Sequence, residues 1–228
     1  MNAIKDLFDK RILKYTIIPF VIDLIFWFIL FLFFSNNIIS FFIFLINHLP
    51  FGEKFSEIVG NISGVILISI FYYLAVISTL GIFTSFFIDK IVLRINEKSF
   101  NLPLRNSSFK DNFYGVLVSI KSFFVYLIIF IFTFYLYFIP IINIFYHLFL
   151  MSVLNKKPLV FDSSYLFANP KEIEKKYNFK IWIRVFLSSF IYFIPFISLF
   201  GYTFQLVFIT HFILKNLKEN NDLQSHTS

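Results

Sequence analysis

Uninterrupted apolar runs are the feature that most limits how this chain can fold. A helix of about 20 residues, rising ~1.5 Å per residue, crosses the ~30 Å hydrocarbon core of a bilayer, and several runs reach that length. Of the 228 residues, 58% are hydrophobic and only 14% are charged. The runs also lack the strict alternation of membrane β-strands. The sequence therefore predicts an all-α integral membrane protein and excludes a water-soluble one.

Two of these runs are predicted to be long transmembrane helices. The first extends from about residue 15 to residue 34, with Pro19 near its start and Asp23 inside it. A polar break is expected at residues 35–37. The second begins near residue 62 and continues without proline to residue 98. Because a helix of that length exceeds the bilayer thickness, its amphipathic end should project into water.

The first 14 residues are predicted to form an interfacial helix on the membrane surface. Apolar residues recur there at helical spacing among Lys and Asp residues, at Ile4, Leu7, Phe8 and Ile12. The apolar run that follows is longer than the core of a signal peptide and shows no small-residue cleavage site. It is therefore interpreted as a retained span.

A nine-residue pattern occurs twice in the second half of the chain. Residues 137–145 read YFIPIINIF, and residues 192–200 read YFIPFISLF. Pro140 and Pro195 lack an amide hydrogen, so each can kink or reverse a helix. Each repeat is therefore either one kinked span or two half-helices that form a hairpin.

The distribution of basic residues decides between these alternatives. Lys and Arg cluster before, between and after the repeats, at Lys90, Arg94, Lys98, Arg105, Lys110, Lys156, Lys157, Lys171, Lys175, Lys176, Lys180, Lys215 and Lys218. If each repeat crossed the membrane once, these clusters would alternate sides and violate the positive-inside tendency. The sequence therefore predicts two Pro-tipped re-entrant helical hairpins, with the N- and C-termini cytoplasmic. A single membrane domain is expected at residues 1–214, followed by a polar cytoplasmic tail at residues 215–228.

Polar residues within the apolar segments are candidate path or structural residues. A carboxylate such as Asp23 costs free energy inside a span, so it should face a partner helix or a water-filled cavity. A structural contact with a neighbouring helix is the more common of these roles. Asn143, Ser198 and Gln205 follow the hairpin tips. They could hydrogen-bond freed backbone groups, or simply pack between helices.

The prolines of the hairpin tips suggest a way to bind anions. Proline suits the first position of a helix, so Pro140 and Pro195 could each begin a half-helix at a tip. Helix N-termini favour anions, and transporters use broken helices in this way. An anion path between the two hairpins is therefore a hypothesis, with purely architectural hairpins as the alternative.

Catalytic and metal-binding motifs are missing from the sequence. It contains no His-Glu-x-x-His, Gly-x-Ser-x-Gly or phosphate-binding glycine loop. There is no Cys, and no two of the four histidines have metal-ligand spacing, at His48, His147, His211 and His226. We therefore expect no catalytic site, metal or cofactor, and the partners are predicted to be lipid and a small solute rather than nucleic acid.

The order of these elements resembles the CysZ sulfate-permease family, which also includes eukaryotic etoposide-induced membrane proteins. The resemblance covers most of residues 10–214. It is carried by LKYTIIPFVID at residues 13–23, by the helix at residues 81–96, and by the Ile-Pro tips at residues 139–140 and 194–195. It implies a bacterial inner-membrane protein that assembles as a homo-oligomer and takes part in sulfate uptake.

The resemblance also implies an anion-binding site. The anion-contacting Gly-x-Arg-Arg stretch of the family falls on Arg11-Ile-Leu-Lys14, so Arg11 and Lys14 become the predicted anion-binding residues, although the glycine and both arginines are replaced. An Ala-Pro-Phe stretch of the family falls near residues 84–86, which read TSF. We predict a membrane permease for sulfate or a related small oxyanion. A non-transporting membrane scaffold or assembly factor of the same fold is the alternative, and an intramembrane enzyme is disfavoured.

Overall fold

The computed structural model describes residues 2–47, 69, 72, 75, 76, 79, 80, 83–105, 109–194 and 197–225. Within these residues all regular structure is helical and no strand occurs, which confirms the predicted all-α class. Two compact units are present. One comprises Met1–Thr16 and Phe87–Ser228, and the other comprises Ile17–Phe86.

The helices named below are numbered in chain order. They are α1 (Asn2–Leu7), α2 (Lys10–Asn47), α3 (Ile88–Ser99), α4 (Phe109–Thr133), α5 (Ile142–Ser164), α6 (Pro170–Ser188) and α7 (Gly201–Ser225). Three short 3-10 turns occur at Phe134–Phe138, Ser189–Phe193 and Ile197–Phe200. Since α7 extends to Ser225, residues 215–225 of the predicted polar tail continue a helix.

The N-terminal region differs from its prediction in two places. The expected single helix over residues 2–14 is divided, because Asp9 caps a new helix by accepting a hydrogen bond from the Arg11 amide at 2.9 Å. The expected polar break at residues 35–37 is wrong, since α2 stays helical through Asn47. Ser and Asn disfavour a helix only slightly, and no Gly or Pro is present there to end it.

Three helices are long and apolar enough to cross a membrane, at Lys10–Phe33, Phe113–Tyr137 and Ile197–Leu223. The first agrees with the predicted first span, and the other two belong to the predicted hairpins. The second predicted span lies largely outside the described residues. Its projecting end is α3, which is amphipathic as expected and buries one face.

Helices α4 and α5 pack as an antiparallel pair, and so do α6 and α7. In the first pair Tyr114 meets Phe161 with ring centroids 5.8 Å apart, while the Thr133 and Tyr146 hydroxyl oxygens are 2.6 Å apart. In the second pair the Asn220 side chain donates to the Tyr177 hydroxyl at 3.0 Å. Their depth in a bilayer stays a prediction.

The sequence repeat is also a repeat of backbone geometry. The turns at Phe134–Phe138 and Ser189–Phe193 are 55 positions apart, and each ends in an extended isoleucine. Ile139 has φ −95° and ψ 113°, and Ile194 has φ −93° and ψ 110°. Each carbonyl then accepts the amide four residues later, at 3.1 Å and 2.9 Å respectively. The shared sequence therefore encodes a shared way of leaving the helix.

The core of the larger unit lies between α3, α5, α6 and α7. Its fully buried side chains include Ile91, Ile95, Leu159, Ile181, Leu206, Ile209 and Ile213. These residues come from four helices at helical spacing, so each helix gives one apolar face to the core. The core thereby fixes α3 and the two hairpins relative to one another.

Candidate functional site

Arg11 and Lys14, the predicted anion-binding residues, lie on the first turns of α2. Ile12, which stands between them, is only 1% exposed and packs into the core. Both basic side chains are exposed. Neither has a hydrogen-bond or ion-pair partner within the part of the chain that the structure describes. The two charges are therefore accessible to a solute or to lipid headgroups.

A carboxylate of the protein itself occupies the N-terminus of α2. One oxygen of Asp9 accepts the Arg11 amide, and the other lies 3.3 Å from Nη2 of Arg94 and 3.4 Å from Nζ of Lys98. Burial raises the pKa of Asp9, but these hydrogen bonds and the charge of Arg94 outweigh it, so that the net pKa lies below its ordinary value. Asp9 is therefore held as an anion.

Asp6 connects α1 to α3 and α7. It is 1% exposed, with Oδ1 at 2.5 Å from Nζ of Lys98 and Oδ2 at 2.8 Å from Nε2 of His211. The hydrogen bond to Asp6 is the largest cause of the raised pKa of Lys98. Because Asp6 and Asp9 neutralise Lys98 and Arg94, these residues form an internal charge network rather than an open anion site.

Sequence reasoning did not find this network. The available signal was the spacing of Asp6 and Asp9, three residues apart in the N-terminal segment, and of Arg94 and Lys98, four residues apart on an amphipathic helix. Spacing alone does not pair two segments that are 85 residues apart in sequence.

Asp23 lies in the smaller unit, where it is 0% exposed. Its Oδ1 accepts a hydrogen bond from the Thr79 hydroxyl at 2.7 Å, and the Trp27 indole donates to the same hydroxyl at 2.7 Å. Oδ2 has no hydrogen-bond partner among the residues that the structure describes. The carboxylate predicted from sequence therefore contacts a neighbouring helical segment, while the sequence did not indicate Thr79 or Trp27.

A tight turn around Ile141 forms the tip of the first hairpin. The Pro140 carbonyl accepts the Ile142 amide at 2.8 Å, and Ile141 has φ 69° and ψ −48°, which is the γ-turn of positive φ. The Asn143 amide donates to the Ile139 carbonyl at 3.1 Å. The first amides of α5 are thus bonded to the tip itself, so they are not free to bind an anion as the half-helix hypothesis expected.

The other predicted tip residues have different surroundings. Pro140 is exposed, and Pro195 lies outside the described residues. Asn143 is half-buried, and its side chain has no hydrogen-bond partner within the described ranges. Ser198 is 8% exposed, and its amide donates to the Ile194 carbonyl at 2.9 Å.

Gln205 is fully buried at the centre of a hydrogen-bond network. Its amide nitrogen lies 2.9 Å from the Ser189 hydroxyl and 3.2 Å from the Val185 carbonyl. Its side-chain oxygen accepts hydrogen bonds from Nδ2 of Asn155 at 2.8 Å and from the Tyr192 hydroxyl at 3.2 Å. Gln205 thereby connects α5, α6 and α7.

Histidines do not form a metal centre in the described part of the chain. His147 Nδ1 lies 3.0 Å from the Tyr137 hydroxyl, and its ring packs on Phe193 at 5.1 Å. His211 contacts Asp6, as above. No group of three His, Cys, Asp or Glu side chains among the described residues could hold a metal ion. His48 and His226 lie outside the described residues.

Comparison with known proteins identifies the family. The family model EI24, described as Sulfate transporter CysZ/Etoposide-induced protein 2.4, matches residues 1–212. Neither a curated protein nor a solved structure gives a match. The matched region includes α1 to α6 and half of α7, and with the apolar helices it indicates a multi-pass membrane protein. The resemblance seen in the sequence is confirmed, and the chain belongs to the CysZ/etoposide-induced protein 2.4 family.

Proposed function

We propose that the protein is a membrane permease for sulfate or a related small oxyanion. The observation that carries this proposal is the family match over residues 1–212, whose description names a sulfate transporter. The protein would lie in the bacterial cytoplasmic membrane as a homo-oligomer. Both termini would face the cytoplasm, because this orientation places nearly all Lys and Arg on one side.

Arg11 and Lys14 attract the oxyanion in the proposed mechanism. Arginine offers a planar set of donors, and lysine offers a compact charge, so both can contact an oxyanion. Their exposure at the first turns of α2 supports this role. Since Asp9 already occupies the N-terminal amide and binds Arg94 and Lys98, the contacts would come from the two side chains rather than from the helix terminus.

The two hairpins line the proposed path. At the first tip the amides of residues 142–144 donate to carbonyls of the tip. Polar side chains such as Asn143, rather than backbone amides, would therefore face the anion there. The same internal bonds allow a broken backbone to enter the bilayer without exposing unsatisfied groups to lipid.

Sulfate flux into proteoliposomes tests the permease. Purified protein should admit radiolabelled sulfate faster than empty vesicles. The double variant Arg11→Gln/Lys14→Gln should lower this flux about tenfold, since each lost charge removes a charge-assisted hydrogen bond. Lys5→Gln/Lys10→Gln is the control, because both lysines are exposed and the same charge is removed. Equal effects of the two pairs, or no effect of either, would show that Arg11 and Lys14 only anchor the protein at the membrane.

Cysteine labelling tests the orientation, since the chain contains no Cys. Single cysteines in place of the exposed residues Lys175 and Lys218 should resist an impermeant reagent added outside the cell. A cysteine at Ser56 should react. External labelling at position 175 would contradict the double-hairpin topology.

A non-transporting scaffold or assembly factor is the second candidate, and the hairpin tips favour it. Ile141 is 70% exposed, Ile194 45% and Ile197 47%, so the tips present apolar surface. The amides of the first tip are also occupied. Correctly oriented, monodisperse protein that shows no flux for any tested oxyanion would favour the scaffold over the permease.

A further inference from the structure

Helix α6 carries three different faces along its length. The first is buried in the core and contains Ile173, Tyr177, Ile181 and Val185, which are four residues apart. Because 3.6 residues complete a turn, this face covers only part of the helix circumference. The remaining surface is exposed, and it is not uniform.

A basic stripe and an apolar stripe run side by side on that exposed surface. The basic stripe consists of Lys176, Lys180 and Arg184, all exposed and four residues apart. The apolar stripe consists of Phe179, Ile183 and Leu187, whose exposed fractions are 73%, 36% and 57%. The helix has a kink at Tyr177, where φ is −117° and ψ is 15°, and along the regular helix that follows it the basic stripe lies between the core face and the apolar stripe.

No described acidic side chain forms an ion pair with the basic stripe. From Lys175 to Lys218 the sequence contains no Asp or Glu. Lys176 reaches the Asn220 side-chain oxygen at 3.3 Å, which is a neutral partner. Within the described ranges none of the three residues forms an ion pair. Lys156 on α5 and Lys215 on α7, by contrast, are paired with Glu174 and Glu219.

Arg184 is held in place before any ligand arrives. Its guanidinium carbon lies 3.9 Å from the centre of the Phe212 ring, and Nη1 donates to the Lys180 carbonyl at 3.0 Å. Stacking of this kind leaves other N–H groups of the guanidinium open to an acceptor. Ordering the side chain in advance lowers the entropy lost when it binds.

We propose that the basic stripe of α6 binds the phosphate groups of anionic phospholipids. Apolar side chains beside Lys and Arg are the pattern of a helix at the membrane interface, where the apolar side enters the acyl region and the cations meet the headgroups. The adjoining apolar stripe selects a lipid over a free oxyanion, because only the lipid covers both stripes. This inference is independent of sulfate transport and holds for a scaffold as well.

Trp182 gives a local reporter for the test. It lies on α6, stacked with Phe186 at 5.4 Å, and the chain contains only two tryptophans. In the Trp27→Phe protein, fluorescence therefore reports on α6 alone. The protein is reconstituted in phosphatidylcholine vesicles that contain the same fraction of either brominated phosphatidylglycerol or brominated phosphatidylcholine. Quenching by the anionic lipid should indicate about a threefold preference at the helix.

Charge-matched variants assign this preference to the stripe. Lys176→Gln/Lys180→Gln/Arg184→Gln should remove it. Lys5→Gln/Lys157→Gln/Lys218→Gln, which removes equal charge from exposed positions elsewhere, should keep it. If the first variant does not fold, Lys180→Gln alone should still lower the preference, since the Lys180 side chain has no partner among the described residues.

Three results would overturn the proposal. Equal quenching by the two lipids, or no quenching by either, would mean that anionic lipid does not gather at α6. An equal loss in both triple variants would mean that net charge alone attracts the lipid. A loss caused by sulfate but not by chloride at the same ionic strength would assign the stripe to a free oxyanion.

Discussion

The two helical hairpins share the backbone geometry that leads into the tip, but they have different surroundings. Both pass from a helix through a 3-10 turn to an extended isoleucine and then a proline. In the first hairpin only 6% of the most apolar 18-residue stretch of Phe113–Tyr137 is buried, whereas 56% of the corresponding 18-residue stretch of Ile197–Leu223 in the second is buried. The second hairpin also contains Gln205, which hydrogen-bonds within that hairpin to α6 and across to Asn155 on α5 of the first hairpin. The local sequence therefore determines the backbone geometry up to the isoleucine. The packing of the remaining helices determines whether a hairpin can bury a polar side chain such as that of Gln205.

This difference separates an inner helix, α7, from an outer helix, α4, whereas α5 of the first hairpin is itself part of the core. A buried amide such as that of Gln205 is stable only where protein partners satisfy every donor and acceptor. The outer helix α4 needs no such partners, because apolar side chains can face lipid. The exposed surface of α4 is then the place where lipid, or a second subunit of the proposed oligomer, would meet the protein.

Removing the polar centre of the second hairpin should have the largest effect. Gln205→Leu deletes hydrogen bonds to α5 and α6, and we expect it to lower the free energy of unfolding by about 3 kcal/mol. Unfolding in detergent micelles, followed by circular dichroism, measures the change. Asn143→Leu is the matched control in the first hairpin, where no described residue bonds the side chain, and it should change stability by less than about 0.5 kcal/mol. Similar losses in both variants would contradict the distinction between the hairpins.

Two glycines sharpen the comparison. A Cβ at Gly201 would overlap the Tyr192 ring, which hydrogen bonds to Asn155 and Gln205 hold in place. A Cβ at Gly115 would lie 2.5 Å from the Phe161 ring, which packing alone holds in place, including a stack on Tyr165 with ring centroids 4.9 Å apart. Gly201→Ala should therefore lower the unfolding free energy by about 2 kcal/mol, and Gly115→Ala by about 1 kcal/mol. The same measurement in detergent decides the order, and a larger loss for Gly115→Ala would mean that the first hairpin tolerates an added side chain less well than the second.

Sequence patterns predicted the parts of this molecule that depend on local composition. Apolar runs located three candidate membrane helices, the YFIP motif located the breaks that follow α4 and α6, and Asp23 was identified as a residue that needs a partner. The division at Asp9 was missed, because a capping carboxylate between two helical stretches resembles an ordinary charged residue in the sequence. The Asp6 and Gln205 contacts join helices far apart along the chain, so no spacing within one helix could indicate them.

The contact between α5 and α7, which joins the two hairpins, should make folding stability depend on pH. Asp162 on α5 accepts a hydrogen bond from Tyr202 on α7 at 2.5 Å. Burial, with a smaller contribution from the nearby Asp89 charge, raises the pKa of Asp162 from 3.8 to about 7. The folded protein therefore retains this proton up to about pH 7, while the unfolded chain releases it near pH 4.

Folding stability should accordingly fall as the pH rises from about 4 to about 7. Asp162→Asn keeps an acceptor for Tyr202 and removes the titration. The difference in unfolding free energy between wild type and variant should change by about 1 kcal/mol between pH 5 and pH 8, because partial exposure to solvent weakens the full linkage. A constant difference over this range would show that Asp162 is not protonated in the folded protein.

The smallest expected effect concerns the turn at the tip of the first hairpin. Ile141 adopts φ 69°, a conformation that costs about 1–2 kcal/mol for a residue with a Cβ and that a β-branched side chain rarely adopts. Its side chain is 70% exposed, so little packing is lost when it is removed.

Glycine accepts this conformation but gains freedom in the unfolded chain. Ile141→Gly should therefore raise the unfolding free energy in detergent by about 0.5 kcal/mol. Ile142→Gly, at the first residue of α5, is the control and should lower it by a similar amount. If Ile141→Gly destabilises the protein as much as Ile142→Gly does, contacts of the Ile141 side chain, rather than its backbone conformation, stabilise the tip of the first hairpin.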